Sequence, residues 1–373
     1  MSSTSSTSSA SSARDGAPAR TAAPPWSPPN GGDGVPPHAR LLMLTNGKRI
    51  SQVVYALAEA GVADAVAQGV TRIPELAEAT GTHPDALRRV LRCAAAVGVF
   101  TLGPDGTVGL TETAEALRAD SPDSQRDMVL FNGSDAVSRS YAAIMTTLRT
   151  GRPAFEEVFG ATFFDHLRDD PKTAGLFDRA MSRMSVATTR MLLDSFDFGR
   201  FASVADIGGG QGYFLGELLA RHPGTKGTLV DRPDVVAEAP RRFAERGVAD
   251  RAEAVAGDFF EGVPGGHGLY VLKAVLHDWD DAAAVRILRG IRAAMGDDAD
   301  ARLAVLEHVV APGDTWDQGK FLDIDMMLRF GGREREPQEW RSLLGSAGFE
   351  LVSEPRTGGW AVLECRPVAV PRD

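Results

Sequence analysis

SVADIGGGQGYFLGELLARHP, residues 203–223, marks a change of pattern in the chain. A short apolar run ends at Ile207, a glycine-rich turn follows, and an amphipathic helical pattern begins at Tyr213. Gly208, Gly210 and Gly212 let the backbone come close to a ligand where a strand gives way to a helix. The spacing is G-x-G-x-G, which differs from the G-x-G-x-x-G of dinucleotide binders. Asp206 precedes the glycines, and an acid there suits a ligand carrying positive charge rather than a pyrophosphate.

Downstream the alternation continues. GTLVDRP reads as a second strand ending at Asp231, with a helix over about 235–246. AEAVAGDFF reads as a third strand ending near Asp258. GLYVLKAVLHDWDD reads as a fourth strand running into a loop, with a helix over about 281–295, and ARLAVLEHVV as a fifth strand. RSLLGSAGF then reads as a helix, and ELVSEP and GGWAVLECRP as two closing strands in an antiparallel ending. Strands alternating with helices predict an α/β fold with a doubly wound parallel sheet. Ligands of such sheets bind outside the strand C-termini. Asp231 is placed to accept from ribose hydroxyls, and Asp258 from an adenine amino group, with Phe259 against the ring. Each acid alone could be a turn former. At successive strand ends on one Gly-rich unit they read as a nucleoside site.

Upstream, residues 40–119 read as mostly helical. IPELAEATGTHPDALRRVLRCAAAVGVF gives helix, turn and helix, and FTLGPDGTVGLTE a hairpin about residues 103–106. Together they form a winged-helix pattern. Arg88, Arg89 and Arg92 on the second helix allow a DNA-binding reading. A packing or dimerisation domain, with the arginines on its solvated face, fits the acidic balance of the chain better. Residues 124–196 read as further helix, where Met181, Met184 and Met191 have core-like spacing.

Composition bounds the rest. The 373 residues leave room for two domains, and 43% apolar with 24% charged is ordinary for a globular chain. A net charge of −10 speaks against a strongly basic nucleic-acid binder. No apolar run approaches the roughly 18 residues of a membrane span. Cys93 and Cys365 are too few for a disulfide framework or a cysteine metal site, and fit a reducing cytoplasm. The HDWDD run could offer ligands, but no spaced His/Asp/Glu set accompanies it, so no metal is expected. Residues 1–37 hold eight serines in the first twelve positions and seven prolines. They read as a disordered, neutral tail without the apolar region of a secretory signal.

The set DIGGGQG, LVDRPDV, GDFF, LKAVLHDWDD and FGGRERE resembles the plant and bacterial small-molecule O-methyltransferases that use S-adenosylmethionine (SAM). The resemblance spans about residues 40–366. It implies a class I methyltransferase domain, Rossmann-like, over 201–373, with a winged-helix dimerisation domain over 38–120 and a helical linker and substrate lid over 121–200. It implies a homodimer and methyl transfer from SAM, leaving S-adenosylhomocysteine, to a hydroxyl of an aromatic small molecule. Partners would be that acceptor and a second copy, not nucleic acid or membrane.

By resemblance, His277 is the general base, with Glu307 and Glu334 as the carboxylates that orient its ring and hold its charge. Asp278 is an additional orienting group on the acceptor side or a helix cap. Ser185 would meet the methionine carboxylate of the cofactor and Lys273 its adenosine end, completing the set of Asp206, Gly208, Gly210, Asp231, Asp258 and Phe259. Phe131, Asn132, Met181 and Met326 would lie against the acceptor, while Met184 and Met191 stay with the core reading. The short segment 328–330 and the small Ala274 point away from plant phenylpropanoids and toward a larger bacterial aromatic metabolite. Phenol and imidazole pKa values of ~10 and ~6.5 make proton transfer in advance uphill by roughly 5 kcal/mol, so the proton should move as the oxygen attacks. Two alternatives stand beside this reading. One is a relative keeping SAM as a structural ligand for hydroxylation or decarboxylation; the other is a winged-helix DNA-binding regulator.

Overall fold

The structure, a computed structural model, describes residues 36–368. All but the last two residues of the Ser/Pro-rich tail lie outside that range. The chain divides into two compact units, Met1–Asn46 and Gly47–Asp373. The described part of the first is one helix, α1 (Pro37–Thr45), entered through prolines at its start.

The second unit begins with α2 (Gly47–Glu59), α3 (Val62–Ala67), α4 (Ile73–Ala79) and α5 (Pro84–Ala96). A hairpin of β1 (Phe100–Leu102) and β2 (Val108–Leu110) follows, in register Phe100↔Leu110. Leu57, Val62, Leu76, Leu87, Leu91, Phe100 and Val108 bury one another as a core. This is the winged-helix arrangement read from the sequence. Arg88, Arg89 and Arg92 are exposed on α5.

Among the described residues seven further α-helices come before the sheet domain, from the short α6 (Glu112–Glu115) to the 25-residue α12 (Pro171–Ser195). Between them lie α7 (Arg126–Gly133), α8 (Asp135–Ala142), α9 (Ile144–Thr150), α10 (Ala154–Phe159) and α11 (Phe163–Asp169). A single 3-10 turn at Phe198–Arg200 follows them. Met191 is 47% exposed, so its core reading is corrected: the α12 stripe turns outward there.

The sheet has seven strands: β3 (Ser203–Ile207), β4 (Lys226–Asp231), β5 (Ala252–Ala256), β6 (Leu269–Lys273), β7 (Arg302–Val309), β8 (Phe349–Leu351) and β9 (Gly359–Pro367). Their order is β5-β4-β3-β6-β7-β9-β8. The first five are mutually parallel, and β9 runs antiparallel to both β7 and β8. Helices α13 (Tyr213–Arg221), α14 (Pro233–Val236) and α15 (Ala239–Glu245) join the early strands; α16 (Asp281–Met295), α17 (Gly319–Arg329) and α18 (Pro337–Ser346) join the later ones. Phe214, Leu218 and Phe243 pack with Leu192 of α12 on one face of the sheet. Ile287, Ile291, Trp340 and Leu344 pack on the other. The three-layer α/β class read from the alternation is the architecture found. The reading assigned no helix between the fifth strand and residue 337; α17 fills that gap. The strand order reverses between β3 and β6, which opens a crevice at the sheet's C-terminal edge. Among the described residues, no helix is long and apolar enough to cross a membrane.

Candidate active site

The chain leaves β6 through Ala274, the one described non-glycine residue with a positive φ, +55°. Left-handed backbone costs a residue with a Cβ, so this turn must be held from outside. Glu307 on β7 holds it. Its Oε1 accepts the backbone N–H groups of Val275 and Leu276 at 3.0 and 2.9 Å. A 3-10 turn, Leu276–Asp278, then presents His277 at the C-terminal edge of the sheet.

The segment after α17 closes over this turn. A Cβ on Gly332 would overlap the backbone carbonyl of His277, so only glycine lets the two chains come this close. Arg333 N–H donates to that carbonyl at 2.8 Å. Asp323 of α17 accepts the Glu334 N–H at 2.9 Å. Arg335, 1% exposed, donates to the carbonyls of Leu276 and Trp279 at 3.0 and 3.1 Å, and to Asp281 at 2.8 Å.

His277 thereby meets three carboxylates. Its Nδ1 is 3.0 Å from Glu334 Oε1 and 3.3 Å from Glu307 Oε2, and its Nε2 is 3.5 Å from Asp278 Oδ1. Burial alone would lower the imidazole pKa. The charges of Glu307, Asp278 and Glu334 outweigh it and push the ring up to about 10. Burial also raises the carboxyls of Glu307 and Asp278. The cap of α16 is Asp280, which accepts the Ala283 N–H, so Asp278 is not that cap. The sequence spacing offered no metal-ligand set, yet the fold brings ligand atoms of His277, Glu307 and Glu334 within 4.8 Å of one another. Of these, Glu334 Oε1 hydrogen-bonds the ring at Nδ1, and Glu307 Oε2 lies beside it as an ion-pair neighbour.

Across the β3–β6 crevice lies the glycine loop. Gly208, Gly210 and Gly212 all adopt positive φ, between +65° and +80°. Asp231 braces the loop, accepting the Gly210 N–H at 2.8 Å and the Arg232 N–H at 2.7 Å. Asp206 is fully buried beneath it, with both carboxylate oxygens lacking a hydrogen-bond partner among the described residues. Burial raises its pKa to about 7. Lys273 donates to Ser185 Oγ at 3.1 Å, bringing α12 and β6 together. A Cβ on Gly208 would sit 3.5 Å from Phe259, whose ring faces Phe260 and Trp279. Asp258 is exposed and accepts the Phe260 N–H at 2.8 Å.

These residues fit SAM. An unpartnered buried carboxyl suits a cationic ligand, Ser185 and Lys273 bring polar donors to the same side of the crevice, and Gly210 leaves open space where a Cβ would stand.

Phe131, Phe155 and Phe163 are buried together, with Phe177, Met181 and Phe330 against them; Arg329 lies over the Phe131 and Phe163 rings and its charge acts on Asp278. Met326 is 8% exposed on α17. Asn132 is exposed, so the described structure does not bring it to this cluster. Sequence reading missed Asp323, Gly332 and Arg335. The signal was present in FGGRERE, where a glycine pair precedes the charges, but the run looks like a solvated surface.

Comparison with known proteins follows the same outline. Residues 141–350 match the family model described as an O-methyltransferase domain, and residues 42–120 the one described as an O-methyltransferase dimerisation domain. The chain is 37% identical over 335 residues to the phenazine O-methyltransferase PhzM of Lysobacter antibioticus, covering 90% of this chain and 97% of that protein. It is 39% identical over 333 residues to the 8-amino-8-demethylriboflavin N,N-dimethyltransferase of Streptomyces davaonensis, covering 88% and 95%. Its fold matches, with a TM-score of 0.74 and 35% identity over 85% of this chain and 96% of the other, an O-methyltransferase from neocarzinostatin biosynthesis (NcsB1) solved with SAM and 2-hydroxy-5-methyl naphthoic acid.

Proposed function

The chain belongs to the O-methyltransferase family of SAM-dependent enzymes, and from that premise we propose that it methylates a hydroxyl of an aromatic bacterial secondary metabolite with His277 as general base. The observation that carries this reading is the imidazole at the sheet's C-terminal edge, with Nδ1 3.0 Å from Glu334 and 3.3 Å from Glu307. SAM supplies, when bound, a methyl group activated by a sulfonium.

Nδ1 donates to Glu334, which fixes that nitrogen as the donor, so that once the ring is neutral Nε2 is the nitrogen that takes a proton. His277 Nε2 removes the acceptor's hydroxyl proton as its oxygen becomes the nucleophile. An ordinary imidazole would sit ~3.5 pK units below a phenol, a gap of roughly 5 kcal/mol. The carboxylates close most of that gap by pushing the ring up to about 10. The imidazolium that forms is then stabilised where it stands. Phe131 and Met181 bound the acceptor's ring, with Met326 on the adjoining helix. On the cofactor side Asp206, Gly208, Gly210, Asp231, Asp258, Phe259, Lys273 and Ser185 bind and orient SAM. The segment 42–120 joins two copies into a homodimer.

The relatives include an N-methyltransferase, so the test must identify the methylated atom. Purified protein is incubated with methyl-labelled SAM and a panel of phenolic and amino-aromatic acceptors. Labelled O-methyl product together with S-adenosylhomocysteine supports the reading. N-methyl product alone, or an acceptor hydroxylated or decarboxylated without S-adenosylhomocysteine, overturns it. Turnover is expected to survive a chelator.

A further inference from the structure

Arg329 closes α17 and is 6% exposed. A guanidinium keeps its charge in any protein environment, so burial makes its hydrogen bonds obligatory. Only part of the group is satisfied. Nη2 lies 3.1 Å from Asp325 Oδ1, and Nε donates to the Asp325 carbonyl at 3.4 Å. Nη1 is buried and has no hydrogen-bond partner among the described residues. Asp325 is itself shared, because its Oδ1 also accepts the Tyr141 hydroxyl at 2.8 Å.

The surroundings place this cation. Its Cζ lies 5.3, 6.0 and 5.4 Å from the ring centroids of Phe131, Phe163 and Phe330. Its charge acts on Asp278, the carboxyl 3.5 Å from His277 Nε2. A positive group with an unused N–H pair therefore sits among aromatic rings, within electrostatic reach of the carboxyl beside His277 Nε2.

We propose that Arg329 Nη1 binds a carboxylate on the acceptor, so that the substrate class is an aromatic hydroxy acid. This rests on the aromatic-acceptor reading above. A planar guanidinium fork matches a carboxylate in geometry as well as charge. In a buried setting an anionic oxygen gains more from an unpaired N–H than a neutral carbonyl does. The rings around Arg329 would flank the acceptor's own ring, and the carboxylate would fix which hydroxyl meets Nε2.

The test uses 3-hydroxy-2-naphthoate and 4-hydroxybenzoate, each paired with its primary amide. Binding to the full-length protein saturated with S-adenosylhomocysteine is read by calorimetry. The better-bound acid should exceed its amide by about 10- to 100-fold, the range a charge-assisted hydrogen bond carries. Arg329→Met should bring the pair within about threefold while S-adenosylhomocysteine affinity stays the same, and Arg329→Lys should restore part of the preference. A merely structural Arg329 would lower the melting temperature without changing the acid-to-amide ratio. Equal affinity of acid and amide in the wild type, or failure of both acids to bind, overturns the proposal even if the variants do not fold. Acid preference without methyl transfer to either acid would count against the proposed reaction and leave the carboxylate site standing.

Discussion

The two nitrogens of His277 face regions built on opposite physics. Nδ1 faces a polar floor tied together by directional hydrogen bonds. Glu307 pins the turn, Glu334 holds the ring, and Arg335 clamps the carbonyls of Leu276 and Trp279. Beyond Nε2 and its neighbour Asp278, the Arg329 cation leads to a wall of Phe131, Phe163, Phe330 and Met181, held by packing. Hydrogen bonds have direction and tolerate little displacement. Apolar contacts are non-directional, and a thioether adapts to different shapes. The floor is therefore where the common chemistry is set, and the wall is where the acceptor is chosen.

The sharpest attempt to break this contrast is at the nitrogen they share. His277→Ala should lower kcat by about 100-fold or more, the usual worth of a general base, with SAM affinity intact by calorimetry. Turnover within about threefold of wild type would remove His277 from the chemistry.

Most of the floor's framework is legible in the sequence, because strands and their terminal acids follow a local pattern. DIGGGQG, LVDRPD and VLKAVLHDW announce three strand ends, and all three sit at the crevice. The run Arg333 to Glu336 is not legible, since its four charges have three different fates. Arg333 is exposed, Glu334 and Arg335 are buried, and Glu336 caps α18. Only the approach of a distant turn, Leu276–Asp278, decides which charges go inside. Local periodicity carries no such information. The wall is less legible still. Nothing local marks Arg329 as buried; Phe131 and Phe163, more than 160 residues away, close around it only in the fold.

Two substitutions probe the rigidity of the floor. Gly332→Ala should destabilise the protein by about 1–3 kcal/mol in denaturant unfolding, because overpacked atoms must move backbone rather than side chain. Turnover should fall with it, since the displaced carbonyl belongs to His277. Gly345→Ala, with open space at its Cβ, is the matched control and should be neutral or stabilising. Equal behaviour of the two would mean the floor yields as readily as a surface.

Glu334→Gln keeps an acceptor for Nδ1 but removes a charge. The wild-type ring, pushed up to about 10, must lose its proton before it can act, so kcat should climb with pH across the neutral and alkaline range. Removing one carboxylate lowers the ring's pKa. The climb should then move toward neutral pH, with kcat down about tenfold as imidazolium stabilisation is lost. Stability gives an independent reading with its own sign. The folded state binds the His277 proton more tightly than the unfolded chain does, so that contribution is complete below the ordinary imidazole pKa of ~6.5 and is lost as pH rises toward the folded value. His277→Ala should flatten this decline, and a pH profile unmoved by Glu334→Gln would detach the carboxylate from the ring.

The smallest effect belongs to the wall. Met181→Leu conserves volume in an apolar cluster, so it should cost less than about 1.5 kcal/mol of stability. With the preferred acceptor kcat should hardly change, because no group around Nδ1 has moved. What should change is the ranking of acceptors. Leucine is branched and stiffer than a thioether, so it should favour rings of one width and penalise others, chiefly through KM. Measuring kcat and KM over acceptors of one, two and three fused rings separates these outcomes. A uniform loss of kcat across that series would mean Met181 supports the base rather than the acceptor, and the division between floor and wall would have to be redrawn on the Nε2 side.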